Sequence, residues 1–138
     1  MNMSHKLLFS IGLLFMVASS ALSNENWKPR LVVCTDIAPA DVEPDDMQSM
    51  VRLMAYADLF EMEALITSVG WNCDPYPAEW AQYLQRVIEA YRKDVGHLMK
   101  RSAQQEFLPL AQENGRQQRG YWPSADYLKG RAVMGSVR

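Results

Sequence analysis

The sequence is short of the residues that build thiolate, imidazole or phosphate-binding sites. Its 138 residues hold two cysteines and two histidines, so no Cys/His cluster with zinc-site spacing exists. Basic side chains do not outnumber acidic ones: 14 stand against 16, for a net charge of −2. That balance leaves no basic stripe for a phosphate backbone and argues against a nucleic-acid partner. The loop from Ile37 to Glu43 lacks the glycines of a phosphate cradle, which excludes a P-loop. No internal repeat or low-complexity tract marks a solenoid or a disordered tail. The apolar run Leu7 to Ala18 is too short to span a bilayer comfortably.

That run has a different reading. Lys6 supplies a short positive region, Leu7 to Ala18 the apolar stretch, and Ala21-Leu22-Ser23 a small-x-small cleavage signal, so residues 1–23 read as a secretory signal peptide. No cysteine directly follows to receive a lipid, so the expectation is release into the periplasm or outside the cell, with no stable membrane anchor. Residues 24–138 then form one domain. An oxidising compartment permits a disulfide between Cys34 and Cys73. Cys34 lies within a strand and Cys73 beyond the end of another, however, and a bridge needs Cα atoms roughly 4.4–6.8 Å apart. Buried free thiols are the expectation. His97, the one histidine outside the leader, sits near Lys93, Lys100 and Arg101 with no evident partner for base catalysis, and reads as a solvated surface group.

The domain is organised around residues 31–54. Leu31 to Thr35 forms a short strand, apolar on both faces as in the middle of a parallel sheet. Pro44, Asp45 and Asp46 open a helix whose apolar stripe is Met47, Met50, Val51 and Met54, at i, i+3, i+4 and i+7. Glu63 to Val69 forms a second strand, and strand, helix, strand in this length implies a right-handed βαβ unit with parallel strands. Trp80, Tyr83, Leu84, Val87, Ile88 and Tyr91 mark a second helix, which Gly96 is placed to stop. Residues 102–119 predict a short helix interrupted at Pro109, and Ala125 to Lys129 a small one closed by Gly130. Ala132 to Gly135 starts another strand. The fold class is α/β, a Rossmann-like parallel sheet. Its few strands leave an open edge, so the chain reads as the N-terminal portion of a larger domain.

Ligands of parallel sheets gather at the carboxyl ends of the strands. Asp36 lies there, beside Asp45 and Asp46 at the helix start. Three adjacent carboxylates repel unless a cation compensates, and calcium, which takes several oxygen ligands in irregular geometry, suits a loop-plus-helix site. The plain alternative is helix capping, since acids in a first helical turn are favoured by the exposed N–H groups and the dipole. Trp71 either lines a sugar face or packs in the core.

Thr35-Asp36, Glu43-Pro44-Asp45-Asp46-Met47-Gln48-Ser49-Met50-Val51-Arg52-Leu53 and Phe60-Glu61-Met62-Glu63-Ala64-Leu65-Ile66-Thr67-Ser68 resemble the nucleoside-hydrolase-like domain of bacterial cellulose-binding proteins. Tyr121-Trp122-Pro123-Ser124-Ala125-Asp126-Tyr127-Leu128 is also similar to that family. More distantly, the region resembles true nucleoside hydrolases, which bind calcium at an aspartate-rich strand-to-helix loop. That resemblance implies a nucleoside-hydrolase-type sheet and calcium ligation by Asp36 and Asp46. It further implies Asp36 as the general base that activates water, and Asp45 and Asn72 as contacts to the sugar. Asn72 also suits a plain turn after a strand. The pattern departs from that of true nucleoside hydrolases in two places: Thr35 lies near the position of an earlier aspartate, and the loop from Ile37 to Pro44 is longer and lacks a glycine. The remaining calcium ligand and the acid-side residues of those enzymes come from later in their chains.

The function so implied is hydrolysis of an N-glycosidic bond in a nucleoside or other carbohydrate substrate, with calcium-assisted attack of water on the anomeric carbon. Two alternatives stand beside it: a secreted, non-catalytic carbohydrate-binding module, and a fragment inactive by itself.

Overall fold

A computed structural model describes residues 26–68 and 76–135. Residues 1–25, Val69, Trp71, Asn72 and Cys73 lie outside the described residues, and with them the expectations of signal cleavage, a sugar contact and a disulfide. In chain order the elements are β1 (Arg30–Thr35), α1 (Pro44–Met54), a 3-10 turn (Ala57–Leu59) and β2 (Glu61–Thr67). A second 3-10 turn (Ala78–Trp80), α2 (Ala81–Met99), α3 (Leu110–Glu113), α4 (Ala125–Arg131) and β3 (Ala132–Met134) follow. The sheet has three strands in the order β1-β2-β3, and both pairings are parallel. The α/β class with a parallel sheet is therefore as the sequence implied, including the late strand after Gly130.

One irregularity sets which residues face inward. Leu31 pairs with Met62 and Val32 with Ala64, so Glu63 is an extra residue in β2. Met62 and Leu65 are three positions apart and would face opposite sides of a regular strand. The bulge at Glu63 turns both toward the helices, where each is fully buried. They join Met50 and Met54 of α1, Leu84, Val87, Ile88, Tyr91 and Val95 of α2, and Ala125 and Leu128 of α4 in one core.

Among the described residues, the other face is largely uncovered. Val32, Ala64, Cys34, Ile66 and Val133 share it by register, with Val32 55 % and Val133 49 % exposed. This corrects the expectation of a doubly covered first strand. β1 is an edge strand with one helix-covered face, because an apolar run fixes strand character without saying how many layers cover it. It also corrects the expectation of a buried thiol at Cys34, which is exposed.

Three helix boundaries differ from the sequence reading, one of them that of α4, which runs through Gly130 to Arg131 instead of closing there. α2 runs through Gly96 to Met99, because Val95, Leu98 and Met99 extend the packed stripe past it. Gly96 itself points to open space. Pro109 precedes α3 rather than interrupting a helix, in keeping with a ring that lacks an N–H and is tolerated at helix starts.

The segment that precedes β1 hides a further feature. Lys28 is fully buried. Its Nζ donates to Tyr121 O at 2.7 Å, Gln117 Oε1 at 3.4 Å and Ala57 O at 3.5 Å. The backbone around it pairs with residues 117–119 through Lys28 N to Gln117 O and Arg119 N to Asn26 O, each 2.8 Å. Burial pushes the Lys28 ammonium down to about 8, against the pull of Asp58 and Glu61.

Candidate functional site at the strand ends

The candidate site is built where β1 gives way to α1. Ile37 and Ala38 are fully buried, and Tyr76 Oη donates to Ile37 O at 2.6 Å, which pins the chain just beyond the strand. Val42 N and Glu43 N both donate to Pro39 O, at 2.8 and 3.0 Å. That turn delivers the chain to Pro44 at the helix start without any glycine.

Asp46 faces back across this turn. Its Oδ2 accepts from Thr35 Oγ1 and from Asp36 N, both at 3.1 Å. Thr35 Oγ1 in turn accepts from Ile37 N at 3.2 Å. Asp46 lies in the first helical turn, where the dipole favours an acid, and its carboxylate also serves the strand end; the residue at the N-cap position, Glu43, makes no side-chain cap bond. Asp45 is exposed on the first turn, where the dipole favours it.

The electrostatics are those of crowded acids. Partial burial, followed by the neighbouring Asp36 carboxyl with which it shares a hydrogen bond, pushes Asp46 up to about 6, while the bonds from Thr35 and Asp36 N pull the other way. Glu43 is also raised, by desolvation and then by the charges of Asp36 and Asp45. Asp36, Glu43, Asp45 and Asp46 thus feel one another across the turn.

Such a place suits a hard cation. The donors are all oxygen, and a cation held there would offset the mutual repulsion of the acids. Among the described residues, no group of three His, Cys, Asp or Glu side chains is arranged to hold a metal. The pair would therefore be part of a ligand set.

The family model for "Cellulose-binding Sde182, nucleoside hydrolase-like domain" matches residues 30–138. The chain belongs to this family. Comparison with curated proteins and with solved structures gave no match.

Within this nucleoside-hydrolase-like domain, the structure brings Asp36 and Asp46 together and leaves Asp45 outward on the same turn. His97 is exposed on α2. Two threonines at the strand ends play parts that composition alone did not assign. Thr35 orients Asp46, and Thr67, its register partner on β2, is 1 % exposed with no partner for its Oγ1 among the described residues. The available signal was position, since both close a strand whose end faces the helix start.

Proposed function

We propose that the strand-end site is the water-activating part of a secreted, calcium-assisted hydrolase of N-glycosidic bonds. Asp36 takes the proton of the attacking water as general base. Asp36 and Asp46 would hold the calcium, and Asp45 and Asn72 would bind hydroxyls of the sugar ring in a nucleoside or carbohydrate substrate. When bound, the cation supplies positive charge that makes water more acidic. Thr35 and the Asp36 amide fix the orientation of the Asp46 carboxylate, which would help to hold the ion. As the bond to the base breaks, the anomeric carbon gains positive charge, which the neighbouring carboxylates stabilise.

The observation that carries this reading is the shared anchor of Asp46 on Thr35 and Asp36: an acid drawn toward a second acid at a strand end, although repulsion disfavours it. Calorimetric titration with calcium tests it. Binding is expected in the wild-type chain and its loss in Asp46→Ala, and hydrolysis of p-nitrophenyl riboside by the full-length protein is expected to fall with Asp36→Ala. Absence of calcium binding would refute the metal site.

A second reading, a non-catalytic secreted carbohydrate-binding module, is favoured by the same geometry in one respect. Two carboxylates without a third ligand among the described residues suit a site that has lost its metal, and the family's description is cellulose-binding. Cellulose pull-down by the Asp36→Ala variant, with no calcium heat in the wild type, would select it.

A further inference from the structure

The five asparagines of the chain are followed by Met3, Glu25, Trp27, Cys73 and Gly115. Only Asn114 therefore precedes a glycine, the residue that, lacking a Cβ, leaves its backbone nitrogen least hindered. Asn114 and Gly115 are both exposed, at the point where the four-residue α3 ends. Gly115 also has a packing reason to be glycine, since a Cβ there would lie 3.2 Å from Ala111 O.

The turn at Asn114 is held only lightly. At ψ 7° the Gly115 nitrogen is rotated well away from the Asn114 Cα–Cβ bond, and a rotation about Cα–C is needed before it can reach Asn114 Cγ. Two hydrogen bonds oppose that rotation: Asn114 Nδ2 donates to Leu110 O at 3.3 Å and Gly115 N to Gln112 O at 3.4 Å. Both are longer than usual and belong to a single helical turn, too short to be stable by itself, so local opening is frequent. Asn26, the other asparagine among the described residues, is fixed more firmly, because its carbonyl accepts from Arg119 N at 2.8 Å. The segment just beyond Asn114 anchors the core. Gln117 N donates to Glu61 Oε2 at 3.1 Å, Gln117 O accepts from Lys28 N at 2.8 Å, and Gln117 Oε1 accepts from Lys28 Nζ at 3.4 Å.

We propose that Asn114 is a site of spontaneous deamidation, and that the isoaspartyl product loosens the seat of Lys28. The Gly115 nitrogen gives its proton to solvent and attacks Asn114 Cγ. The new C–N bond closes a cyclic imide as the Cγ–Nδ2 bond breaks, and Nδ2 takes up a proton and leaves as ammonia. Water then opens the imide. Addition at Cγ yields aspartate and addition at the main-chain carbonyl yields isoaspartate; water is consumed and no electrons are transferred. Isoaspartate carries the chain through the former side chain, which inserts a methylene between Glu113 and Gly115 and shifts Arg116 and Gln117 relative to Glu61 and Lys28. Either product also places a carboxylate where an amide donated to Leu110 O, at the carboxyl end of a helix, where negative charge is disfavoured.

Peptide mapping by mass spectrometry of the full chain, aged in neutral and in mildly alkaline buffer, tests this, with enzymatic isoaspartyl methylation to count the product. Conversion is expected at Asn114 well ahead of every other asparagine, faster in the alkaline buffer, and in the folded chain within about tenfold of its rate in urea. Asn114→Gln keeps the amide but must close a larger ring, and is expected to stay unconverted at that position. Once the aged forms are separated by ion exchange, amide hydrogen exchange at Gln117 and Arg119 is expected to be at least about tenfold faster in the isoaspartyl form than in the fresh chain, and unchanged in Asn114→Gln. No product at Asn114 in the folded chain, conversion led by another asparagine, or unaltered exchange at Gln117 in the isoaspartyl form would each overturn the proposal.

Discussion

Replacing Lys28 by methionine should abolish a rise in stability that the wild-type chain shows on the alkaline side of neutrality. The ammonium is fully buried, and its pKa falls from 10.5 to about 8. The unfolded chain therefore binds more protons than the folded one between these values, and stability rises with pH across that window. Below about pH 8 both states are protonated and the folded one bears the full cost of a desolvated charge. Integrating the two titrations gives a gain of about 1.3 kcal/mol between pH 7 and pH 9. That range stops short of Tyr91, whose hydroxyl is raised by burial and by Asp58 and would contribute with the opposite sign at higher pH. Urea unfolding at pH 7, 8 and 9 measures the slope directly. Methionine, one atom shorter, fills most of the same space and carries no proton, so the Lys28→Met profile should lack this gain. A flat wild-type profile would refute the reasoning without recourse to the variant, and so would the same slope in both proteins.

Asp46→Asn should stabilise the calcium-free chain above pH 6. With the folded pKa raised from 3.8 to about 6, the wild type loses stability as pH climbs through that interval, and asparagine, which still accepts through Oδ1, does not. Thermal melts of both proteins from pH 4 to 8 check the crossing, and parallel curves would count against it. Gly120→Ala should cost about 1–2 kcal/mol in urea unfolding: φ is +92° and the added Cβ would fall 2.8 Å from Gln104 Cβ. An unchanged midpoint would mean that the turn relaxes freely. With reductant present, Cys34 should react with iodoacetamide in the native state at a rate close to that in denaturant, because the helices leave its face of the sheet bare; protection until unfolding would show that face to be covered.

Much of this architecture was readable because local pattern and tertiary position agree. The apolar stretches at 31–33 and 64–66, the stripe of α1 and the longer stripe of α2 each have only one face or period to satisfy. Asp36 and Asp46 could be placed near each other for the same reason, since a strand end and the next helix start must adjoin in a parallel unit. What escaped the sequence depends on distant partners. Nothing local in Asn26-Trp27-Lys28-Pro29 signals a buried ammonium, because its acceptors lie 29, 89 and 93 residues away. Glu61, 5 % exposed, is likewise held by Gln117 N at 3.1 Å across 56 residues. The bare side of the sheet went unseen because Val32, Cys34 and Ile66 have the same composition whether or not a second layer covers them. Gly96 misled in the opposite sense, as its cost within a helix, about 1 kcal/mol, is outweighed by the burial of Val95 and the packing of Leu98 and Met99.

The spare residue at Glu63 gives β2 one position in hand. Delete it and Met62 and Leu65 lie two apart, as in a regular strand, so both stay on the helix side and keep their partners Leu31 and Val33. Loss of Ile66 has no such slack, because Thr67 would then turn over to the opposite side of the sheet.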